Sequence, residues 1–192
     1  MEQIRSFIAV ELPEELKRDL TAIKLQLQSV SRAPVKWVDL QGIHLTLKFL
    51  GNIDASITGK VTETIEEAVQ GVHPFHLGAG GLGVFPSMKR VQVVWVGLSG
   101  EVDRLSQLQQ RIESGLAPLG FARERRPFTP HLTLARIRDR ATQNERQELG
   151  KLIADTSFET GCRIRVDTVH LMKSQLTREG PIYSRISSVK LK

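Results

Sequence analysis

Cysteine is nearly missing: Cys162 is the one thiol in 192 residues. That excludes a disulfide within the chain and any zinc site built on cysteines. Long apolar runs are missing too, and nothing approaches the ~20 consecutive residues that span a bilayer. Acidic residues arrive too early in MEQIRSFIAVELPEEL for a secretory leader, so the expectation is a reduced, cytoplasmic protein without a membrane segment. No His-Glu-x-x-His pattern or third clustered ligand appears, which argues against a metallohydrolase. The glycine-rich run Gly78-Ala79-Gly80-Gly81-Leu82-Gly83 lacks a Gly-Lys-Ser/Thr ending and opens no helix. It therefore reads as a turn or a bulged strand, not a nucleotide loop. Acidic charge is the minority, with 21 Asp and Glu against 27 Lys and Arg, and the net charge of +6 favours an anionic partner such as RNA, a nucleotide or a phosphate.

What remains suits one ordinary domain, or two small lobes sharing a core. Ile4 to Glu11 reads as a strand. Pro13 opens a helix whose Leu16, Leu20, Ile23 and Leu27 recur at helical spacing to about Ser29. Short strands follow at Val35 to Val38 and His44 to Leu50, then a helix from Ser56 to Gln70. Past the glycines come a strand from Val91 to Leu98, a helix from Glu101 to Leu116, a strand from His131 to Ile137 and a helix from Thr142 to Ala154. Arg163 to Met172 and Ile182 to Lys190 read as closing strands. This alternation, with no low-complexity linker, points to an α/β or α+β fold.

One tetrapeptide occurs twice. His44-Leu45-Thr46-Leu47 recurs as His131-Leu132-Thr133-Leu134, each copy on an expected strand followed by a helix. Repeats at matching structural positions point to duplicated units, here two halves joined between Gly71 and Gly100. Side chains alternate across a strand, so the leucines of each copy face a core while the histidine and threonine share the opposite face. If the halves pack with pseudo-twofold symmetry, two imidazoles and two hydroxyls converge on one cleft. That set suits phosphodiester chemistry without a metal. One neutral imidazole takes a proton from water, one imidazolium protonates the departing alkoxide, and the hydroxyls hold the non-bridging oxygens.

On these residues the chain resembles the two-histidine phosphoesterases, and within them the LigT-like RNA 2',3'-cyclic phosphodiesterases once named 2'-5' RNA ligases. The signature of that family is a pair of His-x-Thr-x motifs. Arg5 to Ala9, His44 to Gly51 (HLTLKFLG), Phe85-Pro86, Phe128 to Arg136 (FTPHLTLAR), Leu171 to Ser174, Gly180 and Tyr183 also fit. The resemblance implies an α+β, bilobal duplicated fold, with two antiparallel sheets flanked by helices around a central cleft. It implies hydrolysis of a terminal RNA 2',3'-cyclic phosphate to a 2'-phosphate, with His44 as proton donor and His131 as proton acceptor. From the residues alone, which histidine is acid and which is base stays open. The implied partner is RNA with such an end, tRNA halves included, acted on by a monomer with no cofactor.

Further substrate-binding candidates are Lys48, which alternation places beside His44 and Thr46, and Arg136, which needs a bulge to leave the leucine side. Arg123, Arg125 and Arg126 form a basic cluster before the second motif, and Lys89 and Arg90 another after Phe85-Pro86. Trp37, Phe49 and Tyr183 could stack on a base; packing is the competing reading for Trp37 and Tyr183, and core or lobe-interface packing is the favoured one for Phe49. His73, His76 and His170 lack a partner motif and read as structural, and Cys162 as a small buried residue or an incidental surface thiol. Two other functions fit the same residues. One is 2'-5' RNA ligation, the reverse reaction using the same acid and base. The other is an RNA-binding module that kept the cleft without the chemistry.

Overall fold

The computed structural model describes residues 2–178 and 180–192. Among the described residues, four α-helices and nine strands follow one another along the chain. They are β1 (Gln3–Glu11), α1 (Glu14–Val30), β2 (Val35–Trp37), β3 (His44–Asp54), α2 (Thr58–Ala68), β4 (Phe75–Phe85), β5 (Val93–Gly100), α3 (Val102–Leu116), β6 (His131–Ile137), α4 (Gln143–Asp155), β7 (Glu159–Val166), β8 (Thr168–Leu176) and β9 (Pro181–Lys190). The strands form two sheets, ordered β3-β1-β8-β9 and β2-β6-β5-β4-β7, and every pairing is antiparallel. The α+β class with two flanked antiparallel sheets is therefore as expected.

The sheets are not sequential halves. β2 leaves the first half of the chain to cap β6 in the second sheet, and β8 and β9 return from the C-terminal end to the first. The expected strand from Arg163 to Met172 is two strands that part at Asp167 and join different sheets. Its burial pattern changes phase there. Cys162, Ile164 and Val166 alternate inward on β7, whereas β8 is covered on both faces from Val169 to Met172. The glycine-rich run is the body of β4, with a register shift at Gly81, whose φ of 70° suits glycine.

Local chemistry explains the helices. In α1, Leu16, Leu20, Ile23 and Leu27 make one buried stripe, and Glu14 and Glu15 sit at the positive end. α4 opens with a capping box in which Thr142 and Glu145 satisfy each other's backbone. α2 lies against β8 and β9, α3 against β3, α1 against β7 and α4 against β4. One contiguous apolar core runs beneath both sheets. The helices thus cover one face of each sheet and leave the other for the residues described next. Among the described residues, no helix is long and apolar enough to cross a membrane.

Candidate active site

The two His-Leu-Thr-Leu segments begin β3 and β6, which approach within 8 Å between Cα atoms. In each, both leucines are buried while the histidine and threonine are half-buried. After the fourth residue the alternation breaks, in the same way twice. On β3, Thr46 pairs with Ala9 but Lys48 pairs with Ile8, so Leu47 is an extra residue. On β6, Thr133 pairs with Trp95 but Ala135 pairs with Val94, so Leu134 is extra. Each strand therefore carries a β-bulge at the second leucine. The bulge turns the fifth residue inward, Lys48 in one copy and Ala135 in the other. It turns the sixth outward to the histidine side, Phe49 in one and Arg136 in the other.

This geometry corrects two expectations. Lys48 does not share the face of His44 and Thr46. It is 9% exposed, and its ammonium donates to Glu113 of α3 at 2.8 Å and to the Ala122 carbonyl at 2.8 Å. Phe49, expected to pack, is 69% exposed and lies beside Phe7 at 6.2 Å between ring centroids. Arg136 obtains the bulge it needed. It is exposed and pairs with Lys36 of β2, a cation that no motif had marked. Trp37 packs against the core. Arg123, Arg125 and Arg126 are exposed on the segment leading into His131, and Lys89 and Arg90 on the turn after β4.

Both imidazoles are framed alike. Nδ1 of His131 is 2.6 Å from the Thr129 carbonyl two residues back. A carbonyl only accepts, so Nδ1 carries the proton and the neutral ring leaves Nε2 bare. The backbone of Gly42, also two residues back, lies near His44 and favours its charged form. Aromatic rings meet each imidazole edge-on: Phe7 at 5.8 Å and Tyr183 at 5.3 Å for His44, and Phe85 at 5.0 Å for His131, with Trp95 at 6.3 Å behind. Sequence reading did not single out Phe7, Phe85 and Trp95 as ring supports, although two of them lie in segments that carry the resemblance.

The surroundings of His44 are charged as well as apolar. Burial pulls its pKa below the ordinary imidazole value, and the Gly42 backbone and the Glu11 carboxylate pull it back up. Glu11 pairs with His44 across the strands and is gripped in a fork by Arg185 at 2.6 and 2.7 Å. That hydrogen bonding holds the Glu11 carboxyl below its usual range. His170 has Nδ1 2.9 Å from the Ser188 hydroxyl, and burial lowers its pKa too, while the Glu11 carboxylate pulls it back up. Burial raises the Tyr183 phenol, which stays a hydrogen-bond donor near neutrality. A pocket of about 700 Å³ opens beside His44, lined by Glu11, Lys17, Asp39, Tyr183 and Arg185, and His131 lies outside it. Cys162 is a buried thiol whose pKa desolvation raises. Among the described residues no three His, Cys, Asp or Glu side chains are grouped as metal ligands.

Residues 12–178 match the family model described as the 2'-5' RNA ligase superfamily. An RNA 2',3'-cyclic phosphodiesterase of Methanothermobacter thermautotrophicus is 32% identical over 189 residues, 98% of this chain and all of that one. The protein of the same name from Aeropyrum pernix is 34% identical over 157 residues, 82% of this chain and 86% of that one. Among solved structures, TT0787 of Thermus thermophilus superposes with a TM-score of 0.78 at 25% identity, covering 98% of each chain. LigT of E. coli complexed with 3'-AMP does so with a TM-score of 0.78 at 23% identity, covering 100% of this chain and 99% of that one.

Proposed function

Given that the chain belongs to the 2'-5' RNA ligase superfamily, we propose that it hydrolyses the 2',3'-cyclic phosphate at an RNA end to a 2'-phosphomonoester, by acid–base catalysis between His44 and His131. In this reading the two sheets are lobes of one catalytic domain, and the bulged strands β3 and β6 form the walls of its groove. Nε2 of His131 takes a proton from water as the water oxygen attacks phosphorus. The bond from phosphorus to the 3' oxygen breaks, and the His44 imidazolium gives that oxygen a proton. The products are a 2'-phosphate and a free 3'-hydroxyl, and the two imidazoles have exchanged protonation states.

The observation that carries this reading is the twofold framing of the imidazoles. Each sits at the start of a bulged strand with an aromatic ring edge-on to it, and Nδ1 of His131 is bonded to the backbone two residues back. Fixing the tautomer of His131 leaves Nε2 as the basic nitrogen, which supports its role as the base. Burial favours the neutral form of His44. A phosphate anion and Glu11 favour the imidazolium, so substrate itself charges the acid. Thr46 and Thr133 follow each histidine by two residues and hold the non-bridging oxygens. Arg136 supplies positive charge to the phosphate from the second lobe, Tyr183 and Phe49 offer rings to the terminal nucleoside from the first, and Arg126 meets the RNA backbone.

The test is an oligoribonucleotide ending in a 2',3'-cyclic phosphate, with the position of the product phosphate determined. A 2'-phosphate is expected. His44→Ala and His131→Ala should each lose about 10²- to 10⁴-fold in turnover while keeping their circular dichroism spectra. Full activity in both single variants rejects the assignment.

A further inference from the structure

Lys48 and Glu113 are the pair that the chemistry above leaves unused. They are a buried lysine and a buried carboxylate, with side chains 9% and 11% exposed. A buried ion pair is costly to desolvate and is a weak source of stability, so its geometry invites a question about what it holds in place. The Lys48 ammonium reaches both carboxylate oxygens of Glu113, at 2.8 and 3.0 Å, and the carbonyl of Ala122 at 2.8 Å. Glu113 accepts in turn from the backbone N–H of Glu124 at 3.3 Å and from the Gln109 amide at 3.2 Å. The same Gln109 amide lies 3.5 Å from the carbonyl of Leu47, the bulge residue of the first motif strand. Outside the buried pair, Arg123 donates to Ser114 of α3 at 3.2 Å.

These bonds converge on residues 122–124, on the exposed segment that carries Arg123, Arg125 and Arg126 and runs straight into His131. Arg126 is five residues from His131, so it lies within at most ~18 Å of it along the chain. Pro127 and Pro130 stiffen the stretch between. The bulge that turns Lys48 inward therefore ties the first histidine strand to the approach of the second. We propose that Lys48 and Glu113 are positioning residues, tethering the arginine segment so that it receives the RNA backbone beyond the reactive terminal phosphate. This rests on the phosphodiesterase reading and adds to it a cause of preference for long substrates over mononucleotides.

The experiment compares Lys48→Met and Lys48→Met with Glu113→Met against the parent. The double variant leaves no lone buried charge, so it keeps the test open should the single one fold poorly. Two substrates are used: adenosine 2',3'-cyclic monophosphate and a twelve-nucleotide RNA with a 2',3'-cyclic phosphate end. KM for the RNA is expected to rise about tenfold with kcat unchanged, because backbone contacts are lost while the imidazoles are not moved. Mononucleotide kinetics should stay within about twofold. Limited trypsinolysis reads the tether directly: cleavage after Arg123 and Arg125 should quicken in both variants. Unchanged trypsin rates overturn the tether. Faster nicking with unchanged RNA KM overturns its role in binding, and an equal loss on both substrates overturns it in favour of damage to the site. A parent that turns over neither substrate rejects the phosphodiesterase reading and this inference with it, a failure seen before any variant is examined.

Discussion

A single methyl group on Gly83 should cripple catalysis from the neighbouring strand. Gly83 on β4 pairs with Trp95 on β5, and the indole lies across it. A β-carbon built there meets Cη2 and Cζ2 of Trp95 at 2.2 Å. Ordinary contact starts at 3.4 Å, so the indole must retreat by about 1.2 Å. In retreating it presses on its neighbours, because Trp95 lies tilted against Phe85 at 5.2 Å and Phe85 meets His131 edge-on at 5.0 Å. The push is thus passed to the imidazole. A catalytic group misplaced by about 1 Å costs up to roughly 10²-fold, so kcat should fall about 10- to 100-fold in Gly83→Ala. Overpacking itself costs about 1–3 kcal/mol, a Tm loss of about 2–12 °C for a chain of this length. The assay is turnover of adenosine 2',3'-cyclic monophosphate beside a thermal melt. Gly161→Ala, where nothing lies within 4 Å, should change neither. Adding Trp95→Phe replaces the indole, whose Cη2, Cζ2 and Cε2 are the clashing carbons, by a smaller ring and should restore much of the rate. A folded Gly83→Ala protein with the parent's kcat refutes the chain of contact from Gly83 to His131.

Other consequences are measurable with the same tools. His44 and His170 both have pKa values lowered by burial, so the fold favours their neutral forms. Their contribution to stability is present above the ordinary value of 6.5 and is lost as pH falls through the lower folded values, so the urea midpoint should drop on acidification from pH 7. A double His44→Asn, His170→Asn variant should flatten that slope. Because Glu11 raises the His44 pKa, Glu11→Gln should move the falling limb of kcat/KM to lower pH, and a shift to higher pH contradicts His44 as the acid. Phe49 is largely exposed, so Phe49→Ala should cost no more than about 0.5 kcal/mol in stability. A base stacked on it contributes about 1–3 kcal/mol, which should appear as a KM increase of about 5- to 150-fold, and an unchanged KM removes Phe49 from the substrate. Leu132, fully buried under its histidine, should cost about 2–5 kcal/mol as Leu132→Ala in denaturant unfolding.

Most of the fold could be read from local pattern. Leu16, Leu20, Ile23 and Leu27 repeat at a helical period, and that stripe is what α1 buries. The duplicated tetrapeptide pointed to two strands with a shared chemical face, because alternation is a property of the extended backbone itself. Reading failed where a strand's fate depends on a distant partner. Nothing local in Arg163 to Met172 says that the chain changes sheets at Asp167, apart from the phase slip between Val166 and Val169. The glycines of β4 read as a turn or a bulged strand, and they are a bulged strand, but the run itself does not say why glycine is needed there. Their reason is the partner strand, whose Trp95 ring occupies the space a side chain on Gly83 would fill. The exchange of β2, β8 and β9 between the sheets is likewise not legible locally, since it leaves no mark on composition.

The bulges account for the residues of the site that alternation misassigned. A strict period of two puts Lys48 with His44 and sends Phe49 and Arg136 to the core. One extra residue at Leu47 and one at Leu134 reverse each placement. An inward lysine then needs a carboxylate, and Glu113 of α3 supplies it from 65 residues away. The matching position on β6 is Ala135, which needs no partner. The outward residues differ in kind as well, an aromatic ring on one sheet and a guanidinium on the other. Two strands that share four residues and one backbone irregularity thus become chemically unequal just past the motif. A symmetric groove could bind a nucleotide in either sense, whereas a ring on one wall and a cation on the other favour a single orientation. Exchanging them by Phe49→Arg with Arg136→Phe keeps the composition and should sharply weaken hydrolysis of the RNA end. Undiminished hydrolysis in that double variant means that neither residue orients the substrate.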